Sequence, residues 1–104
     1  MSDLDPFQRQ RLLVQQHPNN ELARFSLGKA LYDAGQNEEA REQFRIALSK
    51  KPDWMAVQIL IGKCDLALGD RDSARTALER ARDLALSQHH EGPLAEVEQM
   101  LSEL

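Results

Sequence analysis

The stretch ELARFSLGKALYDAGQNEEAREQFRIALSKKPDW, residues 21–54, decides the fold because its spacing recurs in residues 55–88 at an offset of 34. When the two segments are aligned at that offset, six identities fall in register. The identical pairs are Gly28/Gly62, Lys29/Lys63, Gly35/Gly69, Ala40/Ala74, Arg41/Arg75 and Ala47/Ala81. Most of them are small residues, which are needed where helices pack closely and where the chain turns. The sequence therefore contains a structural repeat.

Length and composition predict a single all-α domain. The chain has 104 residues, enough for one modest core and too few for two. It holds only 5 glycines and 4 prolines, and it is rich in Ala, Leu, Glu, Gln and Arg, which favour helices. The net charge of -4, with both signs interspersed, provides no continuous basic surface. We therefore expect no nucleic-acid partner.

The amino-terminal residues and the apolar runs predict a cytoplasmic protein without a membrane partner. The first ten residues, MSDLDPFQRQ, are acidic and polar, whereas a signal peptide is basic and then apolar. The longest apolar run, residues 54–62, is far shorter than a bilayer span. The single cysteine, Cys64, excludes an internal disulfide and fits a reducing compartment.

Helix start and stop signals divide the chain into six helices with short turns. The expected N-cap residues are Asp5, Asn19 and Asn20, Asn37, Asp53 and Asp70. Prolines, glycines and one polar break end the helices, and Pro93 starts the last one. The expected helices cover residues 6–16, 21–34, 38–50, 54–68, 71–87 and 93–104.

The repeated segment resembles the tetratricopeptide repeat family, whose pattern is W-x2-L-G-x2-Y, then A-x3-F, then P. Five of the seven pattern positions match in the first repeat, namely Leu27, Gly28, Ala40, Phe44 and Pro52. Arg24 and Leu31 stand where the tryptophan and the tyrosine would be.

The second repeat follows the same pattern less closely. It keeps Ile61, Gly62, Ala74 and Leu78. The tryptophan, tyrosine and proline positions are occupied by Gln58, Asp65 and Leu86. The resemblance nevertheless covers essentially the whole chain, because Pro18 lies 34 residues before Pro52.

The resemblance implies an α-solenoid of antiparallel helix pairs with about six helices, folded as one domain over residues 1–104. Two repeats, residues 21–54 and 55–88, would be flanked by two capping helices. The N-terminal capping helix would span residues 5–17 and the C-terminal one residues 92–104. With only two complete repeats, such an array needs both end helices for stability.

The resemblance also implies a binding surface for a protein or peptide. In this family the concave face is built mainly from the first helix of each repeat. The matching positions are Leu22, Phe25, Lys29, Tyr32 and Asp33 in the first repeat, and Ala56, Ile59, Lys63 and Leu66 in the second. Apolar side chains beside two lysines suit a segment carrying an acidic group or a terminal carboxylate. The asparagines of the family's carboxylate-clamp members are missing, which argues against chaperone-tail binding in that style.

Two alternatives to an open binding groove remain at this point. The chain's own terminal helix fills the groove in one of them. In the other, a second copy of the protein fills it, and the protein is a homodimer with a structural role.

No group of residues predicts catalysis, a cofactor or a metal. Cys64 lies inside an expected helix, two residues after a packing glycine, which indicates a small buried residue. His89 and His90 are adjacent, and adjacent side chains rarely point at one metal ion. We therefore expect a non-catalytic adaptor or scaffold.

Overall fold

The computed structural model describes residues 5–104, which form six α-helices and no strand. The helices are α1 (Gln8–Gln16), α2 (Glu21–Asp33), α3 (Asn37–Lys50), α4 (Met55–Ala67), α5 (Arg71–Ser87) and α6 (Glu91–Ser102). The chain divides into two compact units between Pro52 and Asp53. Unit 1 contains α1 to α3, and unit 2 contains α4 to α6. No helix among the described residues is long and apolar enough to cross a membrane.

Two of the predicted N-caps form. Asn20, rather than Asn19, caps α2, and its side chain accepts hydrogen bonds from two backbone N–H groups at 2.8 and 3.2 Å. Asp70 caps α5 by accepting from the backbone N–H of Ser73 at 3.3 Å. These bonds satisfy amides that the first helical turn leaves free.

The predicted caps of α3 and α4 are wrong. Asn37 is the first residue of α3, and its amide nitrogen donates to the carbonyl of Gly35 at 3.4 Å. Trp54 occupies the N-cap position of α4 in place of Asp53, without a side-chain cap bond. In both cases the helix begins one residue away from the expected position.

The outermost helices also begin away from their predicted starts. Asp5 accepts from the backbone N–H of Phe7 at 2.9 Å, and α1 starts only at Gln8. The last helix begins at Glu91, two residues before Pro93. Proline is tolerated throughout a first helical turn because the N–H groups there have no helical partner.

Three helices end in the same left-handed turn. Gly35, Gly69 and His89 have φ values of 81°, 79° and 57°. After each of them, the next backbone N–H donates to a carbonyl five residues earlier at 2.8 to 2.9 Å, which is the Schellman pattern. Glycine adopts this conformation without a Cβ clash. The turn after α5 therefore places a histidine where the other two place glycine.

Each unit packs a helix pair around a glycine and a bulky side chain, as the repeat predicts. A Cβ added at Gly28 would lie 2.7 Å from Cε1 of Phe44, and one added at Gly62 would lie 2.7 Å from Cδ2 of Leu78. Phe44 and Leu78 are fully buried. The two glycines therefore let α2 approach α3 in unit 1 and α4 approach α5 in unit 2. Cys64 is buried on α4, which confirms its prediction as a packing residue.

Candidate functional site

Helix α2 of unit 1 carries the five positions assigned to ligand contact in the first repeat. We call this set the α2 face; its members are Leu22, Phe25, Lys29, Tyr32 and Asp33. Leu22 is 63% exposed, although it is a large apolar side chain. Phe25 and Tyr32 are half-buried. The Phe25 ring lies 6.0 Å from the ring of Phe44, tilted by 48°, so the core below orients it.

The structure pairs the two charged members of the α2 face. Lys29 Nζ lies 2.9 Å from Oδ1 and 3.3 Å from Oδ2 of Asp33. Both side chains are exposed, and pairs of this kind contribute only about 0.3–0.5 kcal/mol. Asp33 therefore holds the ammonium group of Lys29 only weakly.

Helix α4 of unit 2 carries the corresponding positions of the second repeat. We call Ala56, Ile59, Lys63 and Leu66 the α4 face. Ile59 is buried in a cluster with Leu78, Ala81 and Val97, and Leu66 packs against this cluster. Val97 belongs to α6, so Ile59 of the α4 face shares a core cluster with the last helix. Ala56 is exposed at the start of α4.

An ion pair from α6 and two hydrogen bonds to Leu104, just after it, connect this end of the chain to α4 and α5. Lys63 Nζ lies 3.2 Å from Oε2 of Glu96. The guanidinium groups of Arg71 and Arg75 each donate to the oxygen of Leu104, at 3.2 and 3.3 Å. Sequence reasoning missed these partners because they lie 29 to 33 residues apart, and long charged side chains leave no periodic signal.

Another electrostatic cluster ties α1 to the start of α3. Arg11 Nε lies 2.6 Å from Asp5, and the same guanidinium forms a bidentate contact with Glu39. The Phe7 backbone N–H and then Arg11 lower the pKa of Asp5. Arg11 lowers the pKa of Glu39, and these contacts raise the pKa of Arg11 itself. The three charged groups of this cluster pair with one another, which indicates a structural role.

A pocket of about 210 Å³ opens at the junction of α5 and α6. Its lining residues are Ala85, Leu86, His89, His90, Glu91 and Leu94. Leu86 stands where the first repeat has a proline, so α5 continues for 17 residues whereas α3 has 14. Within residues 5–104, no group of His, Cys, Asp and Glu side chains is arranged to hold a metal ion.

Comparison with known sequences places both repeats in one family. Two family models described as "Tetratricopeptide repeat" match residues 10–57 and 56–85. A TPR repeat-containing protein of Pseudomonas aeruginosa is 39% identical over 80 residues, which cover 77% of this chain and 74% of that protein.

Solved structures share the arrangement of helices. PcrH, in complex with the chaperone binding region of PopD, matches with a TM-score of 0.86 at 23% identity. The match covers 93% of this chain and 74% of PcrH. A protein from Bordetella parapertussis matches with a TM-score of 0.82 at 28% identity, over 96% of this chain and 87% of that one. These likenesses confirm the all-α helical repeat fold.

Proposed function

The chain belongs to the tetratricopeptide repeat family, and from this premise we propose that it is a non-catalytic adaptor that binds a segment of another protein. Repeats of this kind present helix faces as binding surfaces. PcrH, which has the same fold, was solved with a region of PopD bound. The composition and the buried single cysteine support a cytoplasmic location for this role.

The α2 face is the proposed binding site in unit 1. The observation that carries this assignment is Leu22, whose apolar side chain is 63% exposed at the edge of the half-buried aromatic residues. Leu22, Phe25 and Lys29 lie three and four residues apart, so they share one side of the helix. Apolar anchors beside a weakly paired lysine fit a peptide that combines apolar side chains with an acidic group.

Capture of partners from the native extract tests this site. The immobilised wild-type chain is compared with Leu22→Asp and Lys29→Glu, and the captured proteins are identified by mass spectrometry. Leu86→Asp is the matched control, because Leu86 is also exposed, at 53%, but lies on α5. We expect both α2-face variants to lose proteins that the Leu86→Asp variant retains. Recovery of the same proteins by all four chains would remove the α2 face as the site.

Homo-oligomerisation is the second candidate function, in which a second copy of the chain occupies the α2 face. The observation that favours it is the apolar side chain of Leu22, which is 63% exposed in one copy. Light scattering at several protein concentrations separates the two candidates. A monomer at all concentrations supports the adaptor, whereas a dimer that Leu22→Asp dissociates supports the structural role.

A further inference from the structure

The last helix and the surface beneath it have opposite charge. Residues 91–104 contain four glutamates and no lysine, arginine or histidine. The groups that face this segment include Lys63 on α4 and Arg71 and Arg75 at the start of α5. Charge complementarity of this kind selects the partner and its orientation more than it adds affinity.

The apolar side of α6 has the spacing of a helix that binds in a groove. Val97 is fully buried, and Met100, Leu101 and Leu104 pack against the same cluster. These residues stand at i, i+3, i+4 and i+7, the positions that one side of a helix presents. On the α4 face, Ile59 belongs to this cluster and Leu66 packs against it. The contact therefore has the composition of a helix bound to a receptor.

The N-cap and the C-terminal end of α6 lack stabilising side chains. Its N-cap residue makes no side-chain hydrogen bond, and its last turn has no basic residue. Glu103 at its C-cap adds negative charge at the negative end of the helix dipole. Val97 is its only buried residue, and the ion pair of Lys63 with Glu96 is partly exposed. Elements with few buried contacts open at lower free energy than the core.

We propose that the α4 face, together with Arg71 and Arg75, is a docking site for an acidic amphipathic helix of a partner protein, which displaces α6. The expected partner helix carries apolar residues at i, i+3, i+4 and i+7, with a glutamate or aspartate just before the first of them. This inference rests on the proposed adaptor function and adds a second site with a defined partner chemistry. Because α6 occupies this site in the free protein, a partner helix must bind the site more tightly than α6 does.

A partner helix is favoured over a second copy of this chain by energetics. Exchange of α6 between two copies replaces every contact with an identical one, so nothing offsets the entropy lost on association. A partner helix with one more apolar turn, or one more carboxylate, gains contacts that α6 lacks. Only such a helix displaces α6 at low concentration, because displacement requires a difference in affinity.

A labelled peptide with the sequence of residues 91–104, EGPLAEVEQMLSEL, provides the test by fluorescence anisotropy. It is titrated with the full-length wild-type chain and with full-length Val97→Asp, which releases the resident helix. We expect the variant to bind about tenfold more tightly or better, because apparent affinity scales with the fraction of open sites. Equal affinity for both chains would overturn the proposal, provided that circular dichroism shows the variant folded.

A milder variant covers the case in which Val97→Asp does not fold. Glu96→Gln removes the partly exposed ion pair with Lys63 without placing a like charge opposite it, and we expect about two- to fivefold tighter peptide binding. Lys63→Glu, introduced together with either releasing variant, should weaken binding of the wild-type peptide. A peptide carrying the Glu96→Lys change should restore it. Lys29→Glu is the matched control in unit 1 and should leave peptide affinity unchanged.

The outcomes distinguish this inference from the adaptor function itself. If Lys63→Glu leaves the peptide affinity unchanged while the α2-face variants still lose captured proteins, the proposed docking site is wrong and the adaptor function stands. If light scattering shows a dimer that Val97→Asp abolishes, the occupant is a second copy, and the partner-helix proposal is wrong.

Discussion

His89 is held in a backbone conformation that suits glycine. Its φ of 57° matches the turns at Gly35 and Gly69, and the left-handed region costs a residue with a Cβ about 1–2 kcal/mol. Part of the gain from a glycine is lost because glycine is more flexible in the unfolded chain. We expect His89→Gly to raise the free energy of unfolding by about 0.5–1 kcal/mol, measured by urea denaturation.

Gln88→Gly is the control for this change. Gln88 precedes the histidine with an ordinary φ of −97° and donates to the carbonyl of Asp53 at 3.1 Å. Glycine there adds flexibility and removes that hydrogen bond, so it should destabilise the protein. If both substitutions shift the urea midpoint in the same direction, the conformation of His89 is not the cause.

Gly28 is needed for a different reason: the structure leaves no room for a Cβ atom at this position. An added Cβ would lie 2.7 Å from Cε1 of the fully buried Phe44. We expect Gly28→Ala to reduce the free energy of unfolding by about 1–3 kcal/mol through overpacking. Gly92→Ala is the matched control, because a Cβ added there would have nothing within 4 Å. A loss of stability in Gly92→Ala as large as in Gly28→Ala would contradict the packing explanation.

The sequence predicts packing residues far better than ionic partners. Gly28 and Gly62 could be assigned because a register of 34 residues superimposes them, and close packing restricts their side chains. Arg11 and Glu39 carry no such signal. They are 28 residues apart, and Glu39 looks in the sequence like one of several solvated charges on a helix.

At the scale of the helix, turn chemistry locates an element to within about two residues. The six expected helices all form, but Asn37 and Asp53 lie one position away from the caps they were expected to make. Gln36 and Trp54 occupy the two N-cap positions instead, and neither makes a side-chain cap hydrogen bond. The end of α5 depends on Leu86, since without a proline α5 continues to Ser87.

Docking of α1 should depend on pH. The Phe7 backbone N–H and then Arg11 lower the pKa of Asp5, and Arg11 lowers the pKa of Glu39, below the ordinary values of 3.8 and 4.5. A carboxyl group whose pKa is lower in the folded protein stabilises the fold fully at pH values above its ordinary pKa. This stabilisation is lost as the pH falls through the folded-state pKa. We expect hydrogen exchange of α1 amides to accelerate, relative to those of α2, between about pH 5 and pH 3.

Substitution of the shared cation tests this mechanism. Arg11→Gln should reduce the pH dependence of α1 exchange, leaving the part that the Phe7 backbone N–H contributes through Asp5, while accelerating exchange at neutral pH. Arg24→Gln is the matched control, because Arg24 donates to Gln43 and to the carbonyl of Pro18 rather than to a carboxylate. If the pH profile of α1 exchange is unchanged in the Arg11→Gln variant, other groups cause the faster exchange at low pH.

At the scale of the whole molecule, the last helix is expected to contribute to overall stability. Deletion of residues 92–104 removes the side chains that cover Ile59 and Leu78 in unit 2. We expect the melting temperature to fall by about 4–8 °C for each kcal/mol of stability lost, followed by circular dichroism. An unchanged melt would contradict the role of α6 as a stabilising end helix.

The fold class and the family are confirmed, whereas the binding residues remain predictions. Composition and the 34-residue period were sufficient for an all-α repeat protein, because helix packing constrains small residues at fixed spacing. Binding positions came only through resemblance to the family. The environment of these positions depends on which helix covers them, and the sequence alone does not place Ile59 in one core cluster with Val97.

Cys64 gives the molecule a built-in reporter. It is the one cysteine of the chain and is buried on α4, so a thiol reagent reaches it only when unit 2 opens. The rate of its modification under native conditions therefore measures the free energy of that opening without any added label. The same rate, followed while a ligand is titrated, would register any partner that stabilises or loosens this half of the protein.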